Sequence, residues 1–125
     1  MSEAVKMLTR FTGVGVTAAL THFAVFGLSQ SWMWPELANA LGFAVAFGVS
    51  FLGHRFLSFA GTSLPVSQSF QRFVLTALLG FLINELIFMG LYRRLLWPSW
   101  LALLVALVLA ACQTFVLGRF WAFKA

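Results

Sequence analysis

The sequence predicts an all-α integral membrane protein with four transmembrane helices, built as two parallel two-helix repeats. Three observations predict it. Of 125 residues, 62% are hydrophobic and 9% charged, whereas a soluble domain keeps about a quarter of its residues charged. The apolar residues fall into four runs, each near the ~20 residues a helix needs to cross a bilayer. The second half of the chain also rewrites the first. A transmembrane barrel is disfavoured, because its strands would show ~10-residue segments of alternating character.

The four spans are read as 11–30, 36–59, 70–92 and 98–123. Trp34-Pro35 and Trp97-Pro98 punctuate each pair. Proline suits a first helical turn, which needs no N–H there, and tryptophan suits a membrane interface. The first span is the most polar, with Gly13, Gly15, Thr17, Thr21 and His22. Lys6 and Arg10 precede it, but the run exceeds the 7–15 residues of a signal peptide's apolar region and no small-residue cleavage site follows. The polar stretch GTSLPVSQS divides the chain into a repeat at about 9–59, a linker at 60–69 and a second repeat at about 70–123.

The repeats align along their length. Arg10-Phe11 matches Arg72-Phe73, His22 matches Asn84, Phe26 matches Phe88, and SFLGHRFLSF (50–59) matches TFVLGRFWAF (114–123). Ala38, Gly42, Ala46 and Ser50 recur every fourth residue, as do their mates Ala102, Ala106, Ala110 and Thr114. Small residues at that spacing let another helix approach closely. Cys112 lies in an apolar run and has no second cysteine to pair with; it reads as a packing residue.

Each repeat crosses twice, so both enter from the same side and share an axis along the membrane normal. Eight Lys and Arg oppose three acids, a formal charge of +5. In a soluble chain this excess would suggest nucleic acid. Here the cations sit at span ends, and lipid headgroups and topology account for them. Lys6, Arg10, Arg55, Arg72, Arg119 and Lys124 share one face, and Arg93 and Arg94 the other. The positive-inside rule therefore puts both termini in the cytoplasm. Arg10, Arg55, Arg72 and Arg119 are expected to gather at that rim. They are either snorkelling anchors or a phosphate site, for which arginine's planar fork is suited.

Glu85 is the sharpest interior feature. It lies thirteen residues past Arg72, roughly 20 Å along a helix at 1.5 Å per residue. A carboxylate there costs about 3 kcal/mol on insertion scales unless it is neutral, hydrated or paired. Its mate is Phe23, so it breaks the repeat symmetry. Asn84, with His22 expected opposite, and Gln113 add polar groups at membrane depth; each also suits a plain interhelical hydrogen bond. Arg93 and Arg94 either receive an anionic group on the outer side or are loop cations. No spacing of metal ligands, glycine loop or nucleophile with its base is present. A non-enzymatic protein without metal or cofactor is expected.

The opening RFTGVG, the four short spans and the twice-written Phe-x-x-x-Arg-x-x-x-Phe ending resemble the GtrA-like family, from Arg10 to Phe123. Family members often carry Asn where this chain has Ser50 and His54 or Gly118. The resemblance implies translocation of a polyprenyl-phosphate-linked monosaccharide across the bacterial plasma membrane, for O-antigen, teichoic acid or other envelope glycans. It also implies a homodimer, or a complex with the membrane glycosyltransferase that makes the lipid-linked sugar. Two other readings stay open: a small proton-coupled exporter resembling the small multidrug resistance transporters, and a non-transporting subunit that recruits a glycosyltransferase. The exporters typically hold their glutamate in the first helix, and a rim of arginines suits a cation poorly.

The six-to-two split of cations carries a first prediction. A reporter fused after Ala125 is expected to read as cytoplasmic, with residues 31–36 and 93–97 accessible from outside. An external C-terminus would overturn the orientation.

Overall fold

The fold was obtained as a computed structural model that describes residues 2–125. Four helices account for it: α1 (Glu3–Ser29), α2 (Pro35–Gly53), α3 (Val66–Met89) and α4 (Ser99–Leu117). Counting the turns that extend α2, α3 and α4, all four are long and apolar enough to cross a membrane. Their outward faces carry exposed leucines and valines, such as Leu20, Leu41, Leu82 and Val108. A water-soluble surface avoids a continuous apolar belt of this kind. The helices satisfy their backbone groups internally, as lipid requires.

α1 begins at Glu3, eight residues before the apolar run at Phe11. Ser2 Oγ accepts the Val5 N–H at 3.2 Å and Glu3 stands in the first turn, a favourable start for a helix. At 27 residues α1 is about 40 Å long, more than a ~30 Å core requires, so its first turns stand clear of the apolar belt. Similarly, α3 begins at Val66 behind Pro65, four residues before Phe70, and takes in the end of the polar linker. Polar extensions of a helix leave no trace in an apolar run. The threonines of α1 are neutralised locally: Thr12, Thr17 and Thr21 each donate to the carbonyl four residues back, at 2.8–2.9 Å.

Three helices end in a widened π turn: His54–Ser58 after α2, Gly90–Arg94 after α3 and Gly118–Ala122 after α4. The first and last occupy matching places in the two repeats. Each closes with a bond five residues back, Phe59 N–H to the His54 carbonyl (2.8 Å) and Phe123 N–H to the Gly118 carbonyl (3.1 Å). Such turns replace the regular ladder over a short stretch and re-aim the side chains on them; Arg55 and Arg119 both lie on one.

α1 packs along α2 and α3 along α4, α2 also meets α3, and α1 barely touches α4. The small-residue stripes line the close approaches: Ala38, Gly42, Ala46, Ala102, Ala106 and Ala110 are buried. Two apolar layers close the bundle. One holds Phe11, Phe51, Phe59, Phe73 and Phe123, and the other Phe26, Phe88 and Leu103. Aligned mates touch in both layers. Phe59 stacks on Phe123 at 4.9 Å and Phe26 meets Phe88 edge-on at 5.8 Å. Mates make contact where a twofold axis passes between them, so contacts at two depths set that axis along the bundle.

A Cβ added at Gly42 would lie 2.5 Å from His22 Cδ2 and 2.8 Å from the His22 carbonyl oxygen. Backbone must move to accept it. Gly42→Ala is expected to cost about 1–3 kcal/mol through overpacking. Gly48→Ala, with nothing within 4 Å of the added atom, is expected to be neutral or to stabilise by up to about 1 kcal/mol. Reversible unfolding in mixed micelles checks this, and equal effects at the two glycines would refute the packing assignment.

Candidate functional site

Polar and charged groups collect at two depths. At the end where both termini lie, α1 presents Lys6 and Arg10, four residues apart and hence on one face. Arg119 faces them from the turn after α4. With Glu3, Ser58, Phe59, Thr62 and Phe123 they border a cleft of about 340 Å³. This falls within the ~300–1,000 Å³ common for small-molecule sites. Arg10 and Arg119 are exposed, while Lys6 Nζ lies 3.3 Å from Glu3 Oε1. That pair is solvent-exposed and holds Lys6 weakly.

The four rim arginines therefore divide into two kinds. Arg10 and Arg119 line the cleft. Arg72 instead donates through Nη1 to the Trp121 carbonyl (3.0 Å) and the Lys124 carbonyl (2.9 Å), binding α3 to the end of the chain. Arg55 donates through Nη2 to the Leu64 carbonyl (3.3 Å) and so braces the loop before α3. Its Nε is buried and makes no hydrogen bond to the described residues. Helix ends leave unpaired carbonyls that such donors can satisfy. Arg55 and Arg119 each lie over the phenylalanine that follows them, Phe56 at 5.2 Å and Phe120 at 5.4 Å.

The second group lies within the bundle. Glu85 and Asn84 meet His22 not directly but through Asn39, a residue of α2 that is fully buried. His22 Nε2 has two partners, the Asn39 Oδ1 at 2.7 Å and the Asn39 carbonyl at 3.1 Å. Both are oxygens, so this nitrogen carries the hydrogen. Asn39 Nδ2 donates to Asn84 Oδ1 at 2.7 Å and to Glu85 Oε1. The Asn84 Nδ2 is buried and has no partner among the described residues. Asn39 thus joins α1, α2 and α3 through one amide. Its aligned mate is Leu103, buried and apolar, so the second repeat does not repeat the junction.

The remaining polar residues are hydrogen-bonded within the bundle. Gln113 Nε2 donates to the Thr76 carbonyl at 3.2 Å, and Thr114 Oγ1 to the Ala110 carbonyl at 3.0 Å. His54 is stacked on Phe11 at 4.4 Å and shares a hydrogen bond with Ser58 Oγ at 2.9 Å. At the far end Arg93 grips Glu36, with Nη2 2.8 Å from Oε2 and Nε on Oε1. Arg93 is therefore an interhelical clamp between α2 and α3, and Arg94 stays exposed. Between the two apolar layers lies a small interior cleft of about 110 Å³. Residues of all four helices border it, among them Gly15, His22, Ala46, Ala77 and Ala111.

These features define a multi-pass membrane protein of paired helical hairpins, with a cationic rim and a hydrogen-bonded carboxylate inside. The family model described as "GtrA/DPMS, transmembrane domain" matches residues 10–123. The chain belongs to that family, which is linked to the handling of lipid-linked sugars. No curated protein and no solved structure matches it.

Asn39 carries the prediction from this site. Asn39→Leu keeps the γ-branched outline, adds bulk and copies its mate Leu103; it takes the shared amide from Asn84 and Glu85, while His22 keeps the backbone carbonyl of residue 39. Stranding buried polar groups costs about 1–3 kcal/mol each. Gln113→Leu removes one interhelical bond, a loss of about 0.6 kcal/mol in membrane proteins. Unfolding in mixed micelles should rank Asn39→Leu well above Gln113→Leu, and the reverse order would remove Asn39 from the centre of the network.

Proposed function

We propose that the protein translocates a polyprenyl-phosphate-linked monosaccharide across the bacterial plasma membrane, for the synthesis or modification of envelope polysaccharide. One observation carries the reading: cations at a rim cleft and a carboxylate with amides inside the bundle, in a chain of this family. The substrate has the same two polar parts. Its phosphate suits Lys6, Arg10 and Arg119, because charge-assisted bonds to phosphate are the stronger kind. Its sugar offers hydroxyls, which donate to Glu85 and bond with Asn84 in place of water. Both termini face the cytoplasm, so the cleft meets the leaflet in which the sugar is attached to its carrier.

Arg55 and Arg72 act as positioning residues, fixing the helix ends that shape the cleft. Translocation breaks no covalent bond and calls for no catalytic residue. The apolar layers at either side of the interior must open in turn, a hinge or shear rearrangement of packed helices. A homodimer, or a complex with the glycosyltransferase that makes the lipid-linked sugar, enlarges the polar path beyond what four helices enclose.

The test is reconstitution in liposomes containing a labelled polyprenyl-phosphate monosaccharide, with its accessibility followed from outside. The wild-type chain is expected to equilibrate it across the bilayer. Glu85→Ala abolishes this at unchanged insertion. Glu85→Gln keeps activity if the carboxylate is a sugar ligand, and loses the pH dependence of transport if it couples to protons. Arg10→Ala and Arg119→Ala each slow it about tenfold, the scale of one lost charge-assisted hydrogen bond. Normal flipping by Glu85→Ala makes the acid a spectator, and movement of a lipophilic cation without the sugar assigns the chain to the exporters instead.

A further inference from the structure

The two hairpins are related by a twofold axis, so the seam between α2 and α3 has a mate, the seam between α4 and α1. The two seams are not alike. Across α2 and α3, Asn39 bonds Asn84 and Glu85 at membrane depth, and Arg93 clamps Glu36 at the far end. Each fastener is missing from the other seam. Leu103 stands where Asn39 does and Phe23 where Glu85 does. Ser99 stands in place of Glu36. Among the described residues no ion pair joins α1 to α4. The two helices scarcely meet; near the rim Phe11 and Phe115 touch at 4.8 Å.

The interior cleft lies along this loose seam. Gly15 and Ala19 of α1 and Ala111 of α4 border it, and Ala111 is exposed to the surroundings of the bundle. On α3 its borders Phe73 and Ala77 are buried; on α2 Ala46 is buried and Phe43, Phe47 and Ser50 are partly so, with Ala111 of α4 its most exposed border. The rim cleft takes its cations from the same two helices, Lys6 and Arg10 on α1 and Arg119 on the turn after α4, while Ser58, Phe59 and Thr62 after α2 complete its border. A cationic pocket thus stands on one side of the layer of Phe11, Phe59 and Phe123, and a largely apolar, weakly closed groove on the other, both along the α1–α4 seam.

We infer that a polyprenyl phosphate enters sideways between α1 and α4, its phosphate in the rim cleft and its isoprenoid chain in the groove. This rests on the lipid-linked-sugar reading above and adds the route. The occupant follows from complementarity: the pocket suits a phosphate monoester or diester, and the groove beyond the phenylalanine layer suits a long apolar chain. The fastened α2–α3 seam serves as the spine about which the hairpins part. The headgroup crosses between them while the tail stays outside.

Photolabelling tests the route. The purified full chain, in phosphatidylcholine vesicles, is exposed to a polyprenyl monophosphate with a diazirine in its first isoprene units, and labelled residues are mapped by mass spectrometry. Label at Ala19 and Ala111 should exceed label at Leu41 and Leu82, outward residues of α2 and α3, by about tenfold. Unlabelled polyprenyl monophosphate should displace it, and phosphatidylglycerol should not. Gly15→Leu fills the groove without a clash at its Cβ. It should reduce label at Ala111 about tenfold, the size of an overpacking penalty. Equal label on the α2 and α3 faces, equal displacement by phosphatidylglycerol, or no effect of Gly15→Leu overturns the route. Seam label without sugar movement defeats the transport reading and leaves the route standing. Movement with label on α2 and α3 defeats the route alone.

Discussion

One amide ties the structure together. Asn39 is fully buried at membrane depth, and a polar group buried there must find a partner in the protein or be left at a cost of several kcal/mol. His22, Asn84 and Glu85 find theirs in Asn39. The bond to His22 fixes the ring against which Gly42 packs, so the close approach of α1 and α2 depends on it. The bond to Asn84 and Glu85 locks the first hairpin to the second. Remove the amide and three helices lose their common register, while α4, whose mate position is Leu103, loses nothing.

That asymmetry distinguishes the two halves functionally. Duplication supplies a frame with matched stripes, matched π turns and mated phenylalanines on the axis. The polar additions, Asn39, Glu85 and the Glu36–Arg93 clamp, all fall on one seam. A bundle of equal seams would open anywhere or nowhere. A bundle fastened along one side has a hinge and a mouth.

Much of this was legible in the sequence. Hydropathy marked the four spans, and the alignment of the halves marked the mates that meet at Phe59 and Phe123. The stripe of Ala38, Gly42 and Ala46 announced a buried face. Glu85 stood out because charge in an apolar run is costly. The partner of Glu85 was not legible. Asn39 is neutral, lies one residue from the stripe, and has the apolar Leu103 as its mate, so the repeat draws no notice to it; an amide within an apolar run was the available signal. Glu36 read as a helix start, yet it answers Arg93, fifty-seven residues away, a pairing that spacing does not reveal. The arginines were legible as a set but not as two kinds, because whether a guanidinium meets a carbonyl or open space depends on the π turns. The polar first turns of α1 and α3 were missed because apolar runs measure the bilayer and not the helix.

The central claim is that one seam is fixed and the other opens. Pulsed electron spin distance measurements test it most directly, with Cys112 replaced and spin labels at exposed positions. One pair spans α1 and α4, at Leu20 and Val108, and one spans α2 and α3, at Leu41 and Leu82. On addition of a polyprenyl-phosphate monosaccharide, the distance across α1 and α4 should lengthen or broaden while that across α2 and α3 stays narrow and unchanged. A shift confined to the α2–α3 pair would contradict the account.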